Sequence, residues 1–166
     1  MWNGGFQTAD AKAGDIFLRK PQGRHPEIDL YRNADSLQQA VAEQQLIFNN
    51  IGPGKMDTTG SIDGIFYKII AEGNGKQVLL TDTITAFYKG ALLNGTVFDE
   101  TKDHPASFPL NRLIKGWQLA LPLIKEGGKI RLILPSAKAY GIRSRSPKIP
   151  PNSVLVFDIE VKSVKR

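Results

Sequence analysis

The spacing of apolar positions divides the chain into two parts. Through residues 1–34 apolar side chains are scattered among Gly, Pro, Asn and charged residues without a steady period, which predicts an irregular arm. A helix follows. Leu37, Val41 and Phe48 share one face with Ile47 beside it, and Ser36 with Gln39 three residues on has the capping-box pattern that opens helices. The run Asn49-Asn50-Ile51-Gly52-Pro53-Gly54 ends it. From Ile62 the period becomes two. Ile65, Tyr67 and Ile69 alternate with Phe66, Lys68 and Ile70 up to the turn Gly73-Asn74-Gly75, and Ile84, Ala86 and Tyr88 line one face of the next strand. Leu92 to Phe98 reads as a hairpin around Asn94-Gly95, a dipeptide suited to the positive φ angles of tight hairpin turns. A short helix is predicted over Lys115–Leu121, ended by Pro122. Gly127-Gly128 opens a strand with Ile130, Leu132 and Leu134 on one side, and Leu155, Phe157, Ile159 and Val161 form one face of the last strand.

Several antiparallel strands with one short helix make an α+β domain. A twisted sheet wrapped around a single helix encloses an apolar hollow between the two. The pattern places this domain at residues 57–166, with residues 1–56 as an N-terminal helical extension. The extension helix has two readings, a dimerisation or docking element and a helix packed on its own domain; the pattern leaves both open.

Charge adds one asymmetry. The net charge is +6, and residues 1–56 contribute nothing to it, with six Lys/Arg against six Asp/Glu. Residues 57–166 hold 16 Lys/Arg and 10 Asp/Glu. A basic excess suits nucleic acid or an anionic membrane surface. Here the basic residues alternate with apolar ones, and no base-stacking aromatic motif accompanies them, so a solvated surface is the expectation and no specific nucleic acid is expected. No apolar run is long enough to span a membrane. The N-terminus lacks the basic start and apolar centre of a secretory leader. The sequence as it stands therefore reads as cytoplasmic, or as periplasmic or cell-envelope if a leader preceded it.

Much chemistry is excluded by residue type. The chain has no cysteine, hence no disulfide, thiolate zinc site or cysteine nucleophile. His25 and His104 lie in different regions without carboxylates at ligand spacing, so no metal is expected. The Gly pairs lack the Lys-Ser/Thr of a phosphate loop, and no Gly-x-Ser-x-Gly elbow occurs. Asp99 and Glu100 are adjacent on a strand, where their side chains diverge. What remains is a set of aromatic and aliphatic residues spread over four elements, suited to a reaction that breaks no σ-bond, and no cofactor is called for.

Several segments, taken in order, carry a family resemblance. They are Tyr88-Lys89-Gly90 with Asn94-Gly95-Thr96-Val97-Phe98-Asp99; Pro105-Ala106-Ser107-Phe108-Pro109-Leu110 running into Ile114-Lys115-Gly116-Trp117; and Ala139-Tyr140-Gly141 with Ile149-Pro150-Pro151-Asn152-Ser153 and Leu155-Val156-Phe157. Together, over about 100 residues (the size of a common single domain), they resemble the FKBP family of peptidyl-prolyl isomerases, the macrolide-binding immunophilins. The resemblance implies a five- or six-stranded antiparallel half-barrel around one short helix. It implies a pocket lined by Tyr88, Phe98, Asp99, Leu113, Ile114, Trp117, Tyr140, Ile149 and Phe157, with Trp117 as the floor. The Ile114 N–H and Tyr140 hydroxyl would meet substrate carbonyls, and Asp99 would be the polar group at the edge. Ala106, His104 and Arg145 fall at the rim.

The chain departs from the family pattern in places. The loop from Phe98 to Pro105 is about two residues shorter than is common in it, against the short loops usual in compact domains. His104 stands where many members have arginine, and Ala106 where some have an aromatic residue. The stretch Ile142-Arg143-Ser144-Arg145-Ser146-Pro147-Lys148 replaces a small-residue loop with a bulkier, basic rim. Sequence preference and macrolide affinity should change more than the chemistry. The resemblance implies proline-containing polypeptides as substrates, macrolides as inhibitors, and a homodimer through the N-terminal helix. Two rival readings use the same residues: a peptide-binding chaperone with little turnover, and a nucleic-acid adaptor using the basic excess.

Overall fold

The computed structural model describes residues 34–166, apart from Pro53, Ser144 and Arg145. The arm expected over residues 1–33, the Ser36 side chain and the rim residue Arg145 lie outside the described residues. Helix α1 spans Ala34–Phe48. Seven strands follow: β1 Gly60–Ile62, β2 Ile65–Ala71, β3 Thr83–Leu92, β4 Val97–Glu100, β5 Ala106–Pro109, β6 Lys129–Leu134 and β7 Leu155–Lys165. Helix α2, Lys115–Ala120, lies between β5 and β6.

The strands form one antiparallel sheet in the order β1-β2-β6-β7-β3-β4, and β5 also pairs with β3. Strand β3 is the spine. On one side it pairs with β7 from Thr83↔Lys165 to Leu92↔Leu155; on the other, β4 and β5 share its edge end to end. Opposite Thr85/Ala86 and Gly90/Ala91 of β3 the register shifts by one residue, leaving Lys162 of β7 and Phe98 of β4 as the extra residues of bulges, and bulges bend and twist a strand. This curvature lets the sheet wrap α2. The Asn94-Gly95 turn forms as expected: Gly95 adopts φ +95°, its N–H donates to Leu92 O at 2.9 Å, and Thr96 N–H donates to Asn94 Oδ1 at 2.9 Å.

The alternation read along β3, β6 and β7 faces one core. Ile84, Ala86, Tyr88, Ile130, Leu132, Leu134, Leu155, Phe157, Ile159 and Val161 all bury in one core together with Trp117 and Ala120 of α2. Three features were not legible in the pattern. Strands β1 and β5 are too short for periodicity to show. Beyond Ala120 the chain tightens into a 3₁₀ turn, Leu121–Leu123, so Pro122 narrows the helix rather than simply ending it. The outer face of the sheet is also partly covered: Ile133 and Val154 bury with Ile47 of α1. Across β6 and β7 the cross-strand pair Arg131–Asp158 closes at 2.7 Å, and the carboxylate raises the guanidinium pKa above its usual value.

Helix α1 corrects the sequence reading in two ways. It is already helical at Ala34, so Ser36 lies inside the helix rather than at its cap, and the Gln39 amide donates to Glu43 Oε2 at 2.7 Å. The apolar face also differs. Leu37 and Val41 are 69% and 65% exposed and Phe48 is 47% exposed, while Glu43 and Ile47 are buried. The buried stripe lies roughly 100° around the helix from the predicted one, about one residue's rotation. The cause is tertiary. Ile47 packs with Ile133 and Val154, and the Phe48 ring meets Phe66 edge to face, at 5.4 Å and 71°.

Candidate functional site

The site is built around one residue of α2. A 3₁₀ turn, Leu110–Arg112, delivers the chain to Leu113 and Ile114. Ile114 is extended (φ −57°, ψ 153°), and its carbonyl accepts the Trp117 N–H at 3.1 Å, which starts the helix. Gly116 permits the approach to β6: a Cβ there would lie 2.5 Å from both Leu134 δ-carbons. Trp117 then points into the concave side of the sheet and is fully buried.

Three aromatic side chains from three strands pack on it, and a fourth strand adds Phe98 behind Phe157. The Trp117 ring meets Tyr88 at 5.5 Å and 82°, Phe157 at 5.5 Å and 86°, and Phe108 at 6.4 Å and 86°. Phe98 packs on Phe157 at 5.7 Å and 89°, and Tyr88 on Phe108 at 6.1 Å and 62°. Edge-to-face contacts of this kind add about 0.5–1.5 kcal/mol each beyond area burial and hold ring orientation. Gly90 makes the cluster possible, since a Cβ on it would come within 2.7 Å of both Phe98 and Phe157.

Polar groups at the cluster are few. The Tyr88 hydroxyl donates to Asp99 Oδ2 at 2.7 Å, and both residues are buried. Among the described residues the buried Trp117 Nε1–H has no acceptor. Such a donor ordinarily finds a partner, and in a site it is left available to one. Tyr140 follows the 3₁₀ turn Ser136–Lys138 and is 4% exposed. Ile149 closes a tight turn in which its N–H donates to Ser146 O at 2.9 Å.

Of the residues singled out from sequence, Tyr88, Phe98, Leu113, Ile114, Trp117, Tyr140, Ile149 and Phe157 lie in one core cluster, and Ala106 packs against it half-buried. Asp99 joins through its bond to Tyr88. His104 sits apart, exposed in the β4–β5 loop. Phe108 and Gly90 were quoted as motif residues and given no role. Phe108 carried no periodic signal because β5 has four residues. The clearance at Gly90 exists only when β4 and β7 flank β3.

Residues 75–162 match the family described as FKBP-type peptidyl-prolyl cis-trans isomerase, more than half of the chain. The chain belongs to that family. Among its FKBP-type relatives, a probable isomerase named FkpA from Neisseria meningitidis is 35% identical over 161 residues, 96% of this chain and 58% of the relative. FkpA from Escherichia coli is 44% identical over 107 residues, 63% of this chain and 39% of the relative. The 22 kDa FKBP-type isomerase of Escherichia coli is 31% identical over 159 residues, 86% of this chain and 77% of the relative. A crystal structure of Escherichia coli FkpA superposes with a TM-score of 0.64 at 34% identity, covering 84% of this chain and 64% of that one. An isomerase structure from Pseudomonas syringae gives 0.68 at 30% identity, covering 81% and 98%. The chain spans 58%, 46% and 39% of the first three curated relatives, about half their length.

Proposed function

We propose that this chain accelerates rotation about Xaa-Pro peptide bonds in polypeptide substrates. The observation that carries the reading is the buried Trp117, ringed by near-perpendicular aromatic side chains in a family of prolyl isomerases. Peptide-bond rotation meets a barrier of roughly 18–20 kcal/mol because twisting destroys amide resonance. Uncatalysed Xaa-Pro exchange takes tens to hundreds of seconds at about 25 °C. At the twisted midpoint the C–N bond is nearly single and amide charge separation is smaller. A dry apolar surround therefore favours the twisted imide over the planar one, which is differential binding of the transition state. Each ~1.4 kcal/mol of that preference speeds exchange tenfold.

In this reading the proline ring rests on Trp117 between Tyr88, Phe98, Ile114 and Phe157. The Ile114 N–H and the Tyr140 hydroxyl hold the chain on one side of the bond while the other side turns. Leu113, Ile149 and Ala106 wall the flanking residue, His104 and Arg145 act at the rim, and Asp99 fixes Tyr88. No proton or electron pair changes hands, so no cofactor takes part. Residues 57–166 form the isomerase domain and residues 1–56 its extension; the first strand at Gly60 and the family match within this range support that division. Macrolides would compete for the same hollow. The exposed Leu37, Val41 and Phe48 support a homodimer through α1. No helix among the described residues is long and apolar enough to cross a membrane.

Exchange NMR on a short Xaa-Pro peptide tests the reading. The full chain should accelerate exchange catalytically, and Trp117→Leu should remove most of the acceleration. Leu is preferred to Ala because emptying a buried Trp position costs about 3–5 kcal/mol. Binding without acceleration would identify a chaperone-like module instead. Full activity in a folded Trp117→Leu variant would refute the site.

A further inference from the structure

Helix α1 carries a carboxylate on the face where a packed helix ordinarily places an apolar side chain. Glu43 is 3% exposed, on the side that also buries Ile47. Among the described residues no Lys or Arg pairs with it. Removing a carboxylate from water is strongly unfavourable unless hydrogen bonds replace its hydration. Three donors do so here. Oε1 accepts the Ser136 N–H at 2.5 Å, and Oε2 accepts the Ser136 hydroxyl at 2.6 Å and the Gln39 amide at 2.7 Å. Two of the three belong to one residue, 93 positions along the chain.

Ser136 is the root of the turn that carries Tyr140. Its carbonyl accepts the N–H of Ala139 at 2.9 Å and of Gly141 at 2.8 Å, the residues on either side of Tyr140. The Gly141 carbonyl in turn accepts the Asn152 N–H at 2.8 Å, tying this turn to the segment between Ile149 and β7. A displacement of Ser136 therefore carries Tyr140 with it. An apolar residue at position 43 would let α1 dock through Ile47 and the Phe48–Phe66 contact, but it would leave two buried Ser136 donors without acceptors. The carboxylate thus selects one position for the turn, where apolar packing would tolerate several.

We propose that Glu43 is a positioning residue for Tyr140: through this carboxylate the N-terminal helix fixes the turn that presents the Tyr140 hydroxyl to substrate. The inference rests on the assignment of Tyr140 to the site. It makes docking of α1 a condition of full turnover, although no atom of α1 belongs to the aromatic cluster.

The test is a set of variants of the full chain assayed on an Xaa-Pro peptide. Glu43→Ala lowers kcat/KM roughly tenfold, short of the ~100-fold that a 1 Å misplacement of a positioned group can cause. Glu43→Gln restores most of the loss, because it keeps an oxygen for the Ser136 N–H and an amide that donates to the Ser136 oxygen. On a Tyr140→Phe background Glu43→Ala has no further effect, since the group it positions is gone. Urea unfolding confirms that each variant is folded under assay conditions. If Glu43→Ala does not fold, the milder Ser136→Ala decides, with a smaller loss that also vanishes on the Tyr140→Phe background. A loss of the same size on both backgrounds, or full activity in a folded Glu43→Ala or Ser136→Ala variant, overturns the proposal. Full activity in Tyr140→Phe and in Trp117→Leu is a separate result: it overturns the site itself, and the positioning role with it.

Discussion

Replacing Gly90 by Ala tests whether the aromatic cluster is a rigid framework. Gly90 is buried in β3, opposite Phe157 of β7 and Asp99 of β4. A Cβ at this position would stand 2.7 Å from Phe157 Cε1 and from Phe98 Cζ. Carbon atoms rest at about 3.5–4.0 Å, so the two rings must withdraw by about 1 Å. Neither has room to do so independently. The rings lock edge to face at 5.7 Å, and Phe157 is backed by Trp117 at 5.5 Å. Overpacking of this kind costs about 1–3 kcal/mol. The smaller entropy of the unfolded Ala chain returns about 0.4–1 kcal/mol, because the φ angle of Gly90 is open to Ala. The net loss is about 1–2 kcal/mol, or a Tm lower by roughly 2–8 °C for a chain of this size. Because the displaced rings bear on Trp117, kcat/KM should fall about tenfold as well. Gly95→Ala is the control. Its Cβ meets nothing within 4 Å, but φ is +95°, so backbone strain should lower Tm while kcat/KM stays unchanged. A Gly90→Ala protein that melts with the wild type and turns over normally would show that the rings part freely, and the argument for a preorganised pocket would fail.

Tyr88→Phe removes a 2.7 Å hydrogen bond to the buried Asp99. The urea midpoint should drop by the equivalent of about 1–3 kcal/mol with an unchanged m-value, and an unmoved midpoint would mean the bond contributes nothing. Asp57 has its pKa lowered, chiefly by the hydrogen bond from Lys68 at 2.8 Å. A depressed folded-state pKa adds stability above the unfolded-state value, and that stability is lost as pH falls through the folded one. Any Tm gap between wild type and Asp57→Asn should therefore be present at neutral pH and close on acidification; a gap that widened in acid would reverse the assignment. Under the proposed homodimer through α1, Leu37→Lys with Val41→Lys should shift sedimentation to that of a monomer without changing turnover per chain, since both side chains point to solvent in the single chain; a wild-type chain that already sediments as a monomer would refute that assembly.

Much of the domain was legible because strand periodicity is local. Ile84, Ala86 and Tyr88, or Leu155, Phe157, Ile159 and Val161, declare their inward face whatever they pack against, since alternate side chains on a strand must diverge. The Asn94-Gly95 turn was equally readable, because its positive φ is a property of the residues themselves. The motif positions located most of the aromatic cluster, although nothing in their spacing says that rings from four strands join one cluster around Trp117.

Other features depended on neighbours far away in sequence. The face α1 buries was not the one its apolar spacing suggested. Ile47 found Ile133 and Val154 to pack with, and Glu43 found two donors on Ser136, so those contacts outweighed the burial of Leu37 and Val41. Phe108 became part of the ring because β5 pairs with β3, and Gly90 became indispensable only once Phe98 and Phe157 closed over it. Local chemistry thus determined which segments are strands, where the chain turns and which residues are apolar enough to meet. Tertiary structure decided which helix face is covered, which carboxylate is buried and which glycine has no room for a methyl group. These outcomes are set by the shape and hydrogen-bonding capacity of a partner surface, and no window of sequence contains both sides of such a contact.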